Sequence, residues 1–289
     1  MLWPMSRIAI IGGGSMGEAL LSGLLRAGRQ VKDLVVAEKH PDRAKYLAEK
    51  YSVLVTSVAD AADNADYVIV AVKPSDVEYV VDEVAGAASA ADSDTEQVFV
   101  SIAAGVSTAY YEAKLPAGAP VIRVMPNTPI LVGGGISAVA PGRFATPEQL
   151  KEVAGIFDAV GGVITVAEAQ LDAVTAVSGS GPAYFFLMVE ALVDAAVAAG
   201  LSRAVSTDLV VQTMAGSAAM LLERLDEVTA AGDAALDTTA AALRAMVTSP
   251  AGTTAAGLRE LERGGFRAAL GNAVEAAKTR SEQLGITSE

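Results

Sequence analysis

"IAIIGGGSMG", residues 8–17, decides how the rest of this chain is read. A short β-branched run, the composition of a buried strand, leads straight into glycines and then into the helical pattern "MGEALLSGLLRAG", which ends at Gly28. Gly12, Gly14 and Gly17 stand as G-x-G-x-x-G across this strand-to-helix junction. The spacing has a mechanical reason. The first glycine makes the tight turn, the second lets a pyrophosphate approach the backbone, and the third packs helix on strand. Ser15 and Met16 lie within the same loop and join the three glycines as candidate dinucleotide contacts. Glycine turns are common, so the motif needs its context to carry weight.

That context is a βαβα rhythm. "DLVVAE", "YVIVAV", "QVFVSIAA" and "APVIRVMP" read as further buried strands, and "PDRAKYLAEKY" between the first two has helical spacing. Such alternation predicts a doubly wound parallel sheet. "GGISAVAPG" and "GGVITVAE" add two short strands. The helix between them starts with Thr146 as N-cap, Pro147 at the first position and Gln149 closing a capping box. The fold class expected is therefore α/β: an N-terminal Rossmann-like doubly wound sheet over residues 1–167, then an all-α C-terminal dimerisation domain over 168–289. In that second half the strand signal vanishes. "SGSGP" reads as the start of a long helix ending at Gly200, and Ser202 opens the next. "YFFLMVEALVDAAVAA" is apolar on more than one face, and such a helix must be covered on all sides. A second copy of the chain is the expected cover, giving a homodimer through the C-terminal helices. Residues 226–242, "DEVTAAGDAALDTTAAA", read as a loop with a short helix.

Composition narrows the function classes. The chain has 289 residues, 52% hydrophobic, and a formal net charge of -13, so no basic stripe exists for a nucleic-acid partner. The absence of cysteine excludes disulfides and thiolate chemistry, and a single histidine, His40, argues against a histidine triad or a multi-histidine metal site. No cluster of acids has ligand spacing, so no metal is expected. The apolar run before the glycines is too short for a signal peptide, and Glu190 and Asp194 interrupt the longest later one. A cytoplasmic protein with no membrane span is expected.

The second strand ends in "AEKHPDR". Glu38 lies about 20 residues past the last glycine, where an acid binds the ribose 2′-hydroxyl of NAD. Lys39 and Arg43 follow at once and suit the 2′-phosphate of NADP. NADPH and NADH both stay open, NADPH slightly favoured, while His40 reads as a solvated loop residue or a further 2′-phosphate contact. At three later strand ends, where ligands of doubly wound sheets sit, lie "AVKPSD" (71–76), "SIAAGV" (101–106) and "RVMPNTP" (123–129). Pro74 after Lys73, and Pro126 and Pro129 flanking Asn127 and Thr128, stiffen loops that a plain crossover would not need stiff.

With these stretches the chain resembles the pyrroline-5-carboxylate reductases over essentially its whole length. "IGGGSMGEALLSGLL", "AVKP", "SIAAGV", "RVMPNTP", "AVSGSGPAYFFLMVEAL" and "SPAGTTAAGLRELERGGFRAAL" come in the family's order and spacing. The resemblance implies hydride transfer from a reduced nicotinamide to the C=N bond of 1-pyrroline-5-carboxylate, giving proline. It also implies a dimer swapped through the C-terminal helices, in some members assembled into a decamer. It assigns Ala71, Val72, Lys73 and Pro74, Ala103 and Ala104, and Asn127 to the cofactor side. Ser249, Gly252 and Thr253 would hold the substrate carboxylate, and Thr254 would lie near the imine nitrogen as proton donor or relay. The alternatives are an exposed salt bridge for Lys73 and plain capping for Ser249 and Thr254. Two departures stand out: Ala251 replaces the family's usual second glycine, and segment 226–242 is about a dozen residues longer than usual and lacks the E-x-x-P pattern. A reductase of another cyclic imine, a deazaflavin-linked NADP reductase and a non-catalytic dinucleotide-binding regulator are the competing readings.

Overall fold

The structure, a computed structural model, describes residues 6–90, 97–230 and 239–285. The chain divides into two compact units, Met1–Pro182 with Val274–Glu289, and Ala183–Ala273.

The first unit is built on one sheet of eight strands: β1 (Ile8–Ile11), β2 (Leu34–Ala37), β3 (Leu54–Thr56), β4 (Tyr67–Val70), β5 (Val98–Ser101), β6 (Val121–Met125), β7 (Gly135–Pro141) and β8 (Gly161–Thr165). Its helices are α1 (Ser15–Arg26), α2 (Pro41–Tyr51), α3 (Val58–Ala62), α4 (Val77–Ala90), α5 (Thr108–Lys114), α6 (Pro147–Asp158) and the short α7 (Leu171–Val174). The strand order is β3-β2-β1-β4-β5-β6-β7-β8, so the direction of travel reverses between β1 and β4 and a crevice opens outside their carboxyl ends. Strand residues alternate between two buried faces. Ile8, Ile10 and Val36 pack with Leu20 and Leu24 of α1 and Phe157 of α6. Ala9, Ile11 and Val35 pack with Val77 and Val81 of α4 and Tyr111 of α5. Burial on both faces explains why these strands read as continuous apolar runs.

Two features of the sheet depart from the sequence reading. β7 runs antiparallel to β6, with Met125 opposite Ala138, and β8 then pairs parallel with β7. The link from β6 to β7 is a single 3-10 turn, Thr128–Val132, too short to carry the chain back for a parallel crossover. β3 escaped notice because it is a three-residue edge strand with Leu54 exposed, and its burial pattern gives little period. The capping box at Thr146 forms as expected, with Thr146 Oγ1 accepting from the Gln149 amide (3.2 Å) and Gln149 Oε1 accepting from the Thr146 amide (2.8 Å).

"SGSGP" does open a long helix at Gly181, but not out of a loop. The chain is already helical from Leu171, and Thr175–Gly179 forms a π-helical turn before α8 (Gly181–Ala198). The Ser180 amide reaches back to the Thr175 carbonyl (2.8 Å), while the Thr175 and Ser178 hydroxyls bond the carbonyls of Leu171 and Val174. A Cβ at Gly179 would sit 2.6 Å from Met125 Cε, so glycine admits the end of β6 here. Such turns inside helices cluster at functional sites.

The remaining helices are α9 (Arg203–Ala230), α10 (Thr239–Met246), α11 (Thr253–Arg263) and α12 (Phe266–Leu284). Of the segment 226–242, expected as a loop with a short helix, the described residues are all helical. α9 continues to Ala230 and α10 starts at Thr239, because alanine-rich stretches favour helix strongly; residues 231–238 lie outside those described, as does the extreme N-terminus, 1–5. Among the described residues of the second unit, only Val193, Ser206 and Thr239 are buried. Phe185, Phe186, Leu187, Leu209 and Leu222 are each more than half exposed. Two helical stretches, Glu168–Ala198 and Arg203–Val228, are long and apolar enough to cross a membrane by length and composition.

Candidate functional site

The first βα turn forms a cradle that tolerates no side chains at two of its glycines. Gly12 has φ +109°, and a Cβ there would lie 2.6 Å from the Ala71 carbonyl oxygen. A Cβ on Gly17 would lie 1.9 Å from the Gly12 carbonyl oxygen. Gly14 is different: a Cβ would meet nothing within 4 Å, and its backbone faces open space at the N-cap of α1. No side chain caps that helix, so its first amides and positive dipole end are directed at whatever occupies the crevice. Ser15 and Met16 form the first helical positions, with Ser15 exposed and Met16 leaning on the core.

The crevice is a cleft of about 390 Å³. Gly12, Gly14, Glu38, Lys39, His40, Ala71, Val72 and Lys73 line it, which brings together residues from the carboxyl ends of β1, β2 and β4. Thr56, Ser57 and Val58 close it beyond β3, and Asp76, Tyr79, Val80 and Glu83 on the α4 side. Sequence reading missed both groups; recognising "VLVTS" (53–57) as a strand with a ligand-facing end would have found the first. Glu38 stands where the ribose acid was expected. Its carboxylate accepts from the Gly13 amide (3.0 Å) and the His40 amide (2.8 Å), so it also ties the glycine loop to the end of β2. Lys39 pairs with Asp76 at 3.0 Å, both exposed. Lys73 is exposed and makes no ion pair among the described residues. Pro74 starts the 3-10 turn that carries the chain from Lys73 into α4.

Arg43 does not line the cleft. Its Nε donates to the Gly13 carbonyl (2.7 Å), its Nη2 to Glu18, and its guanidinium lies 5.0 Å from the Tyr46 ring centre. Glu18, in the first turn of α1, also accepts from Lys50 (3.0 Å), Tyr51 (2.7 Å) and Tyr46 (3.2 Å) of α2. Partial burial pushes the Glu18 carboxyl up, but the hydrogen bonds from Tyr51, Lys50 and Arg43 outweigh it and hold the group down at about 2. A depressed carboxylate stabilises the fold above its unfolded value of 4.5 and loses that contribution as pH falls toward 2. A Glu18→Gln variant is therefore expected to unfold at lower urea than the parent at pH 7, with the difference shrinking between pH 4.5 and 2. A difference independent of pH across that window would count against the ionised cluster.

Ala103 and Ala104 follow β5, Ala103 buried and Ala104 partly so, and they lie outside the cleft. The adjoining Gly105, at φ +76°, lies where a Cβ would press on the backbone of Leu284 and Gly285 at the end of α12. Asn127 is also buried and outside the cleft. Its amide donates to the Ser178 carbonyl (3.2 Å) and its oxygen accepts from the Ile136 amide (2.9 Å), bracing the π-helical turn against the start of β7. Arg123 pairs with Glu168 at 3.4 Å, and Thr108 completes that carboxylate's partners. Among the described residues no group of three or more histidines, cysteines or acids is placed to hold a metal ion.

In the second unit, the turn before α11 carries the other candidates. Ala251 takes φ +58°, a left-handed conformation that costs an L-residue about 1 kcal/mol, so alanine fills a position suited to the family's glycine. Gly252 is the N-cap, and its amide bonds the Ser249 carbonyl (3.1 Å). No side chain caps α11. The Thr248 hydroxyl turns back to the Arg244 carbonyl (2.6 Å), while Ser249 and Thr253 are exposed and Thr254 partly so, with no hydrogen bond from any of these three hydroxyls among the described residues. Simple capping by Ser249 or Thr254 is thus not what the turn does.

A doubly wound sheet, a glycine cradle behind an uncapped helix and a separate helical unit define an oxidoreductase-type, dinucleotide-binding architecture. The family described as "Pyrroline-5-carboxylate reductase dimerisation" matches residues 168–284, and "NADP oxidoreductase coenzyme F420-dependent" matches residues 7–105. The chain is 68% identical over 295 aligned residues to the pyrroline-5-carboxylate reductase of Mycobacterium tuberculosis, with all of both chains covered. The solved pyrroline-5-carboxylate reductase of Coxiella burnetii superposes with a TM-score of 0.87 at 34% identity, over 98% of this chain and 100% of that one. Pyrroline carboxylate reductase of Plasmodium falciparum, solved with NADP bound, gives 0.81 at 30% identity over 97% and 98%. The chain belongs to the pyrroline-5-carboxylate reductase family.

Proposed function

We propose that this protein reduces 1-pyrroline-5-carboxylate to proline with NADPH or NADH, the last step of proline biosynthesis, in the cytoplasm. The observation that carries the reading is the uncapped α1 N-terminus behind glycines that admit no Cβ, in a chain matching reductases end to end. The cradle fits a reduced nicotinamide dinucleotide: Gly14 leaves room for the pyrophosphate, and Glu38, Lys39 and Lys73 surround the cleft. When bound, that group supplies the hydride for the C=N carbon. The protein's part is orientation and one proton. A cyclic imine is more basic than a ketone, so a strong positioned acid is not needed, which suits a chain with one histidine and no cysteine. The open helix end at the N-cap Gly252, with the Thr253 amide and the Ser249 hydroxyl, holds the substrate carboxylate at the positive end of α11, and the Thr254 hydroxyl orients or relays the proton to the nitrogen. This also reconciles an anionic substrate with a net charge of -13, since helix ends need no lysine. Ala71, Val72, Pro74, Ala103, Ala104 and Asn127 complete the cofactor side, Ala103, Ala104 and Asn127 from the loops that follow β5 and β6. Steady-state oxidation of NADPH and NADH with and without 1-pyrroline-5-carboxylate tests the reading. Substrate-dependent turnover is expected, and its absence from folded protein that binds a cofactor would overturn it.

We further propose a homodimer through the C-terminal helices, on the division 1–167 and 168–289. The family matched there is a dimerisation family, and α8 and α9 leave large apolar side chains exposed. Glu190 and Asp194 within the apolar run of α8 favour a protein partner over a bilayer. Phe186→Lys, which removes an apolar contact of about 2–3 kcal/mol, should weaken dimerisation about a hundredfold by sedimentation analysis. A monomeric parent protein would defeat this arrangement.

A further inference from the structure

The peptide of Gly13 is held from both sides by side chains. Its amide donates to Glu38 (3.0 Å) and its carbonyl accepts from Arg43 Nε (2.7 Å). The first of these holds comes from the strand that bears the ribose acid. The second comes from α2, and α2 is itself fastened to α1 by Glu18. The Glu18 carboxylate takes donors from Arg43, Lys50, Tyr51 and Tyr46, spending one oxygen on Arg43 and the other on the remaining three. Arg43 is thereby turned toward the glycine loop, with its guanidinium over Tyr46 and none of it in the cleft that Lys39, His40 and Lys73 line. A guanidinium with two of its donors committed and one face stacked is not poised for a 2′-phosphate.

We propose that Glu18 is a positioning residue for dinucleotide binding. It seats Arg43 on the Gly13 carbonyl, and Arg43 in turn fixes the loop that receives the pyrophosphate, a part common to both cofactors. Discrimination at the 2′ position then falls to the residues that line the cleft, Glu38, Lys39 and His40. The inference rests on the reading that the cleft takes NADPH or NADH. Low pKa at Glu18 agrees with it, since the anchor stays ionised across any assay range.

The test is direct binding of NADPH and NADH, followed by the fluorescence of the reduced nicotinamide, to the full chain and to four variants: Glu18→Gln, Arg43→Gln, their double, and Lys50→Gln. Thermal melting and kcat are measured beside each titration. Glu18→Gln and Arg43→Gln should each weaken both cofactors by the same factor, about tenfold, as for loss of a charged hydrogen bond, with kcat within about twofold of the parent. The double variant should bind no worse than Arg43→Gln. Lys50→Gln, which loosens the same helix pair without touching Arg43, should lower the melting temperature and leave both Kd values in place. Arg43→Gln losing NADPH while keeping NADH would overturn the inference by making Arg43 a 2′-phosphate ligand. Lys50→Gln weakening binding as much as Glu18→Gln would overturn it by reducing the cluster to a helix staple. If the parent protein binds neither dinucleotide, the proposed function itself falls, and that result is distinct from either of these.

Discussion

Gly17→Ala is expected to weaken dinucleotide binding about a hundredfold and to melt about 5 °C below the parent, the result of forcing roughly 1–3 kcal/mol of overpacking into the loop. The new Cβ would lie 1.9 Å from the Gly12 carbonyl oxygen and 3.1 Å from its carbon, both backbone atoms with no rotamer to escape into. α1 must then move off β1, and the amides at its start lose their aim. Gly14→Ala supplies the contrast. Its Cβ meets nothing within 4 Å, so stability should hold while the methyl group occupies the space a pyrophosphate needs. Calorimetric melting of both variants, together with NADPH titration, separates the two effects. Equal melting temperatures for Gly17→Ala and the parent would mean that the loop relaxes more freely than its backbone contacts allow.

Thr254→Val should lower kcat about a hundredfold, the scale of losing one positioned proton donor or relay, and shift the melting temperature by no more than about 2 °C. The stability half of this expectation comes from the structure: α11 is capped by Gly252 without any side-chain bond, so the hydroxyl holds nothing in place. Thr254→Ser should keep most of the turnover. Parent-like kcat in Thr254→Val would remove Thr254 from the chemistry and leave orientation on the α11 amides as the protein's whole contribution.

Most of the first unit was legible because its signals are local and redundant. The strands β1, β2, β4, β5 and β6 are buried on both faces, and each ends in glycine, acid or proline chemistry that marks the turn. The reversal at β7 was not legible, since a strand reads alike in either direction and only the length of the preceding link decides. The π-helical turn at Thr175–Gly179 was hidden for a different reason: "SGSGP" has the composition of a helix start, and only the Ser180-to-Thr175 bond shows the helix already under way. At the site, Glu38 and Lys39, read from spacing, and Lys73, read from the family resemblance, all line one cleft. Spacing could not show that Arg43 faces the other way, because that depends on Glu18, 25 residues earlier on a neighbouring helix.

The bareness of the helical unit has a consequence for how the protein lives in solution. With Val193, Ser206 and Thr239 the only buried positions among its described residues, a lone copy has almost no interior there to set against the entropy of ordering its helices. Stability of that half is then a mass-action quantity, fixed by how much protein is present as well as by sequence. Heating curves should move upward with protein concentration, and dilution should inactivate the protein on the timescale of subunit exchange, well before the sheet itself gives way. Newly made chains would face the same threshold, with the Rossmann-like half folded early and the helical half waiting for its partner.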